Sequence, residues 1–394
     1  VDFDYSPEEQ RFAEEVEQWL VENHDPVVMD PTRENFSQLA DTPERRDFMK
    51  KLARKGWLGM SWPKKYGGRE IPGVYDFILN EALARHAAPQ IGKGVGIIGK
   101  TLIRHGSEKL KQEFLPKILN AEVEFAVGYS EPQAGSDAAN MQLKATKVAG
   151  GWRLDGQKMW TTSAHFADWY WLGARTDPQK PKHEGLSLFL LPMDAPGMQI
   201  QSLPTIGKDT TNQVFFEGVF VADDYMVGER GKGFQYISEA LDLERFTMFT
   251  LSPVTERTKL LVDWAKTATR DGERLKDDAN VRRLIATIAT HTAVARGLSV
   301  RFLCAAKAVG DKPPSVQSSQ YKLFTTTLSQ RVCNWALDIT GAAGQLREGE
   351  DDAPLRGRFE GAYRATVNET VGGGSSEIQK NIIARRHLGL PKNF

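Results

Sequence analysis

Apolar residues recur at three- and four-residue intervals from Ser6 to about Glu122, the spacing of helices that bury one face. Ser6-Pro7-Glu8-Glu9 supplies an N-cap, a proline at the first helical position and acids in the first turn, ahead of Phe12, Val16, Trp19 and Leu20. Between Phe125 and about Val227 the texture changes to short β-rich runs: Trp152-Arg-Leu, Trp169-Tyr-Trp-Leu, Leu186-Ser-Leu-Phe-Leu-Leu and Gln213-Val-Phe-Phe. Each is bounded by Gly, Pro or Asp, so each predicts a strand. After Gly231-Lys-Gly233 helical spacing returns nearly to the end, broken at Pro253, over the charged stretch Arg270 to Arg283, and over Gly349 to Gly357. The pattern predicts an α+β chain in three parts: a helical domain over 1–123, a β domain over 124–232 and a second helical domain over 233–394. No internal repeat and no low-complexity tract suggests a solenoid or a disordered tail.

Composition narrows the class. At 394 residues the chain exceeds the size at which a single core stops growing, which fits two or three packed subdomains. The 51 basic side chains balance the 51 acidic ones, so a polyanion-wrapping role is disfavoured and no nucleic acid is expected as a partner. The N-terminus is acidic and polar, and no stretch holds the roughly 18 uninterrupted apolar residues of a membrane span, so neither secretion nor insertion is indicated. Cys304 and Cys333 both fall in apolar, helix-patterned sequence, where they read as buried small hydrophobes in a reducing cytoplasm. Gly94-Val-Gly96-Ile-Ile-Gly99 matches GxGxxG, yet no strand precedes it, so the phosphate-turn context is missing. The seven histidines are dispersed and no HExxH occurs, which argues against a metal site.

Four segments carry candidate chemistry: Gly128-Tyr-Ser-Glu-Pro-Gln-Ala-Gly-Ser-Asp137, Gly156-Gln-Lys-Met-Trp-Thr-Thr162, Leu241-Asp-Leu-Glu-Arg245 and Gly372-Gly-Gly-Ser-Ser-Glu-Ile-Gln379. The first reads as a turn-rich loop whose small residues let backbone and hydroxyl groups approach a flat, polar ligand. In the second, an indole beside two threonines offers a planar wall and hydroxyl donors for a heteroaromatic ring, although Trp160 alone reads as a core tryptophan. With Gly56-Trp-Leu-Gly-Met-Ser-Trp-Pro-Lys-Lys-Tyr-Gly-Gly68 and Ile383-Ala-Arg-Arg386, these segments resemble the acyl-CoA dehydrogenase family over essentially the whole chain.

The resemblance implies an N-terminal helical domain, a middle β-barrel or sandwich and a C-terminal four-helix bundle. It implies FAD as a noncovalent cofactor, an acyl-CoA substrate dehydrogenated to the trans-2-enoyl-CoA, and an electron-transfer flavoprotein or similar acceptor. By resemblance Tyr129, Ser130, Gly135, Trp160, Thr162, Ser375 and Glu377 bind the flavin, while Ser136 and Arg245 face the acyl-CoA.

Such a reaction needs a carboxylate to take the α-proton and hydrogen-bond donors for the thioester oxygen. Many family members place the glutamate where this chain has Gly373, which cannot be the base. The family's second arrangement, seen in its isovaleryl-CoA and long-chain members, puts it in a segment like Leu241-Asp-Leu-Glu-Arg245, and Glu244 matches. Independently, Ile237, Leu241, Glu244, Met248 and Leu251 fall within about 40° of one helical face, so this carboxylate projects from an apolar stripe, where burial raises a carboxyl pKa. The bland alternative is a buried partner of an arginine such as Arg245 or Arg385, and Glu369 is the reserve base. The backbone N–H of Gly373 remains able to donate to the thioester oxygen. The triple glycine at 372 to 374 reads either as a flexible loop alone or as an enlarged pocket beside the flavin, with room for a branched or bulky acyl group.

Two departures lie on surfaces that serve a neighbouring subunit's flavin in similar enzymes. The usual Arg-x-x-Phe-Gly element is absent where the chain reads Thr269-Arg-Asp-Gly-Glu-Arg-Leu, and the usual Gly-Gly-x-Gly loop is replaced by Gly341-Ala-Ala-Gly344. The chain thereby looks most like actinobacterial dehydrogenases of sterol side-chain breakdown, several of which are heterotetramers of a catalytic and a non-catalytic chain. Either a heterotetramer with a paralogous subunit is expected, or a homo-oligomer in which Arg270 or Arg274 takes over the diphosphate. The rival readings are a flavin monooxygenase or acyl-CoA oxidase on the same fold, and a non-catalytic subunit.

Overall fold

The computed structural model describes residues 4–34, 38–207, 209–248, 250–309 and 314–391, with the side chains of 242–248 and 307–309 outside that description. The first helix, α1 (Pro7–Glu22), opens on the capping box that its sequence predicts: the Ser6 N–H donates to Glu9 at 2.9 Å and the Glu9 N–H to the Ser6 hydroxyl at 3.2 Å. Phe12, Val16 and Leu20 are its buried stripe. It packs on α3 (Val74–Arg85), which follows α2 (Pro43–Arg54) and is buried continuously from Phe77 to Ala84. The GxGxxG run is a buried π-helix (Gly94–Ile98) that leads into α4 (Gly99–His105), not a strand-to-helix phosphate turn. A Cβ at Gly99 would come within 2.1 Å of the Trp62 ring, so that glycine serves helix–indole packing. The last helix of this part is α5 (Glu108–Leu119).

Eight strands follow: β1 (Phe125–Gly128), β2 (Lys144–Val148), β3 (Gly151–Lys158), β4 (Trp169–Arg175), β5 (Leu186–Pro192), β6 (Met198–Pro204), β7 (Thr210–Ala222) and β8 (Met226–Val227). They form one sheet in the order β6-β7-β3-β2-β4-β5-β8, with β1 pairing parallel to β4. All four apolar runs read as strands are strands. β4 and β5 are buried on both faces, and their alternating residues feed two cores. Trp171, Leu186, Leu188 and Leu190 face the N-terminal helices, whereas Tyr170, Leu172, Phe189 and Leu191 face the interior formed with Trp152, Leu154 and Val214.

The C-terminal part comprises α6 (Gly233–Met248), α7 (Ser252–Ala265), α8 (Ala279–Val309), α9 (Ser315–Thr340), α10 (Arg358–Val371) and α11 (Ser376–Arg386). Val254 and Leu261 from α7, Val281 and Ile288 from α8, Leu328, Val332 and Ile339 from α9 and Phe359 from α10 share one core. Two details differ from the sequence reading. Leu251 caps α7 instead of extending the α6 stripe, because α6 ends at Met248. The charged stretch from Arg270, where the helical spacing breaks, contains an exposed two-stranded hairpin, β9 (Thr269–Arg270) with β10 (Glu273–Arg274), before α8 begins.

Buried charges join the two helical parts. Glu81 of α3 accepts hydrogen bonds from the Leu251 N–H at 2.8 Å and from the Ser252 N–H and hydroxyl at 2.9 and 2.6 Å, which fixes the corner where α7 leaves α6. Arg257 of α7 donates to Glu34 at 2.9 Å and to Ser329 at 2.7 Å, and Arg358 also pairs with Glu34.

Candidate active site

The chain turns from β1 into the segment beginning at Tyr129, and the end of β3 runs beside it. The Met159 N–H donates to the Ser130 carbonyl at 2.9 Å, so the structure brings the first two motifs together. Their anchor is an ion pair between Lys158 and Glu131 at 2.8 Å, with both side chains buried. Glu131 also accepts from the Gln142 and Leu143 N–H groups at 2.6 and 2.8 Å, and Lys158 donates to the Tyr129 carbonyl at 3.2 Å. Burial pushes the Lys158 amino group down to about 8, against the pull of Glu131. Both residues lie inside the quoted motifs, yet the sequence reading assigned them no role. The only signal was an acid and an amine in separate motifs, which no periodicity links.

The wall beyond this anchor is held just as firmly. Thr161 shares a hydrogen bond with the Tyr170 hydroxyl at 2.8 Å, its N–H donates to the Asn212 carbonyl at 3.0 Å, and its carbonyl accepts from the Asn212 side chain at 2.8 Å. Lys93 reaches the Thr162 carbonyl and the Ser163 hydroxyl, each at 3.3 Å. Trp160 is no core tryptophan: it is 57% exposed and adopts φ of 61°, a left-handed conformation that is an outlier for a bulky residue. Tyr129 is half-buried and accepts at its hydroxyl from Trp171 at 2.7 Å. Gly135 and Ser136 are exposed, and nothing lies within 4 Å of a Cβ built at Gly135. An exposed indole, open space at Gly135 and nearby hydroxyls at Ser130 and Thr162 fit the planar, hydrogen-bonding ring of a flavin.

A second group of the residues that the sequence points to sits at the corner between α10 and α11. Gly373 and Gly374 have φ of 64° and 90°, conformations open to glycine. Ser375 is the N-cap of α11 and accepts from the Ile378 N–H at 3.4 Å. Glu377 is exposed in the first turn, its carboxyl lowered by its own N–H and by the Ser375 hydroxyl. Glu244 and Arg245 fall on α6, and their side chains lie outside the described residues. The reserve candidate Glu369 is buried 3.9 Å from Arg257, with its pKa raised by burial. It lines a cavity with Thr250, Thr325, Thr326 and Ser329 that has room for about one water.

The two departures from the usual pattern are neighbours in space. Arg270 donates to the Ile339 carbonyl at the end of α9, and its guanidinium lies 3.8 Å from a Cβ built at Gly341. Arg274 instead pairs with Asp277 at 2.8 Å. Among the described residues no helix is long and apolar enough to cross a membrane.

Residues 6–122, 126–219 and 231–388 match, in that order, the N-terminal, middle and C-terminal domains of acyl-CoA dehydrogenases. The chain therefore belongs to the acyl-CoA dehydrogenase family, FAD-dependent flavoproteins that act as oxidoreductases on the CH–CH bond of an acyl-CoA. It is 31% identical over 352 residues to acyl-CoA dehydrogenase FadE26 of Mycobacterium tuberculosis, covering 88% of each chain. Its fold is similar to that in the crystal structure of the ChsE4-ChsE5 complex from Mycobacterium tuberculosis, with a TM-score of 0.87, 28% identity and 100% of both chains covered. It is equally similar to a Tcur3481-Tcur3483 steroid ACAD, with a TM-score of 0.89, 28% identity and 100% of both chains covered.

Proposed function

We propose that this chain binds FAD and dehydrogenates a bulky acyl-CoA, of steroid side-chain type, to the trans-2-enoyl-CoA, with Glu244 as the base. The observation that carries the reading is the corner at Gly372 to Gly374, which carries neither a carboxylate nor any other side chain, and this supports a base placed elsewhere and a wide acyl group. Tyr129, Ser130, Gly135, Trp160 and Thr162 hold the ring from the β domain, and Ser375 and Glu377 hold it from the start of α11. FAD, when bound, supplies the two-electron acceptor for the hydrogen that leaves the β-carbon. Glu244 takes the α-proton at its carboxylate. The Gly373 N–H donates to the thioester oxygen, where negative charge develops as the α-proton leaves. Ser136 and Arg245 orient the CoA ester, and the partner that would take the electrons onward is an electron-transfer flavoprotein or similar acceptor.

The same reading includes a tetramer with a paralogous chain. The hairpin at Arg270 and the loop at Gly341 form one surface without the usual donor elements, and a solved structure of similar fold is described as the ChsE4-ChsE5 complex. Arg270, beside Gly341, is the better placed of the two arginines to substitute in a homo-oligomer. Sedimentation of the chain expressed alone decides this: a tetramer with one tightly held FAD per chain rules out an obligate heteromer.

The test of the base compares two variants. Glu244→Gln is expected to lower turnover by about 10² to 10⁴ fold with FAD retained. Glu369→Gln is expected to do far less, because Glu369 is engaged with Arg257. The reverse order overturns the assignment. Anaerobic flavin bleaching by straight-chain, branched and steroid acyl-CoAs identifies the substrate class, and rapid reoxidation by air would point to an oxidase instead.

A further inference from the structure

Three consecutive glycines leave the corner between α10 and α11 with no side chain of its own to hold it, and glycine has the greatest backbone freedom of any residue. In the folded protein the corner is held from outside. Lys322, two turns into α9 and fully buried, donates to the Gly374 carbonyl at 2.8 Å. Gln379, on α11 and also fully buried, donates from Nε2 to the Gly373 carbonyl at 3.2 Å and the Gly374 carbonyl at 3.0 Å. The Gly372 N–H closes the α10 end on the Asn368 carbonyl at 2.8 Å. With both carbonyls tied, the peptide planes on either side of Gly374 are set. The Gly372 N–H ties the peptide before Gly372, so the peptide that carries the Gly373 N–H lies between two held ones.

The two donors come from different helices, so the corner's shape is imposed by the packing of α9 on α11. A buried amine is costly unless its hydrogens are satisfied, and here it is directed at the main chain beside the reacting position. We infer that Lys322, together with Gln379, is a positioning residue for the dehydrogenation: it holds the glycine corner so that the Gly373 N–H meets the thioester oxygen. The inference rests on the reading of Gly373 as that donor. It adds a side chain from α9, a helix with no other assigned part in the reaction.

The experiment uses the FAD-loaded, full-length enzyme in whatever assembly it adopts. The probe is acetyl-CoA labelled with 13C at the carbonyl, which has the thioester but no β-carbon and so cannot be dehydrogenated. Isotope-edited infrared difference spectra report how strongly the thioester oxygen is hydrogen-bonded. In the wild type the carbonyl stretch is expected to fall on binding. In Lys322→Met that fall is expected to be lost and kcat to drop about 10²-fold, the size typical of a small misplacement of a reacting group, with KM moving much less. Lys322→Arg, which keeps a donor, is expected to restore part of both. If Lys322→Met does not fold, Gln379→Met is read in the same way.

A wild-type carbonyl shift in the FAD-loaded Lys322→Met enzyme, whether or not kcat has dropped, overturns the inference and leaves the Gly373 reading intact. No shift in the wild type overturns both. Glu244→Gln is expected to keep the shift while losing turnover, which separates the base from the oxygen donor.

Discussion

Trp160 and the pair Gly373–Gly374 share a left-handed backbone, yet the two positions are built in opposite ways. At Trp160 a bulky side chain occupies a conformation that costs about 1–3 kcal/mol, and the indole it displays is mostly exposed. At the glycine corner the same region of φ is occupied at little steric cost and nothing is displayed. Strain is retained where a bulky side chain is displayed and avoided where none is. Each segment is steadied by one fully buried lysine, but the partners differ. Lys158 meets the carboxylate of Glu131, whereas Lys322 meets the carbonyl of Gly374. The first is an ion pair whose two halves depend on each other, and the second is a donor to a group that is neutral with or without it.

That contrast can be broken experimentally. The largest effect is expected from Lys158→Met, which strands Glu131 as an unpaired buried carboxylate. Breaking such a pair costs about 3–5 kcal/mol, so chemical denaturation is expected to show a loss of that order together with a lower flavin-to-protein ratio. A loss below about 1 kcal/mol would mean that the pair does not anchor the loop.

A second, somewhat smaller effect is one of pH. The folded Lys158 loses its proton near 8, while the unfolded side chain keeps it to about 10.5. Between those values the unfolded state binds more protons, so stability is expected to rise with pH. This contribution is fully present above about 10.5 and lost as pH falls through 8. Lys158→Arg, which stays charged throughout, is expected to lack that slope in urea titrations at matched pH.

The smallest effect sharpens the other half of the comparison. Gly374→Ala places a Cβ on a residue with φ of 90° and is expected to cost about 1–2 kcal/mol. Thermal unfolding of the variant measures this cost. A neutral result would mean that the corner has room to relax and is not held in a single shape.

The order of domains was legible because it depends on local periodicity. The Ser6 cap, the paired apolar faces of β4 and β5 and the return of helical spacing at Gly233 each follow from residues close in sequence. The motifs were legible as short strings, and they fall within the residues that match the family's middle and C-terminal domains. Their supports were not legible. On α9, Ser318, Ser319, Lys322, Thr325, Thr326 and Ser329 repeat at helical spacing, a polar stripe that by composition alone reads as a solvent face. The structure buries it, with Lys322 on the Gly374 carbonyl and Ser329 on Arg257 of α7.

The sequence by itself determined which segments become helices and strands, where the glycines permit left-handed turns, and which family's motifs the chain carries. Only the tertiary structure decided that Lys158 closes on Glu131, that Lys322 and Gln379 hold the glycine corner, that Glu369 belongs with Arg257, and that Arg270 sits beside Gly341. The physical reason is the range over which each choice is made. Backbone preference is set by a residue and its near neighbours. The partner of a buried charge is set by which elements pack together, and residues 27 or 52 positions apart meet only after the cores have formed.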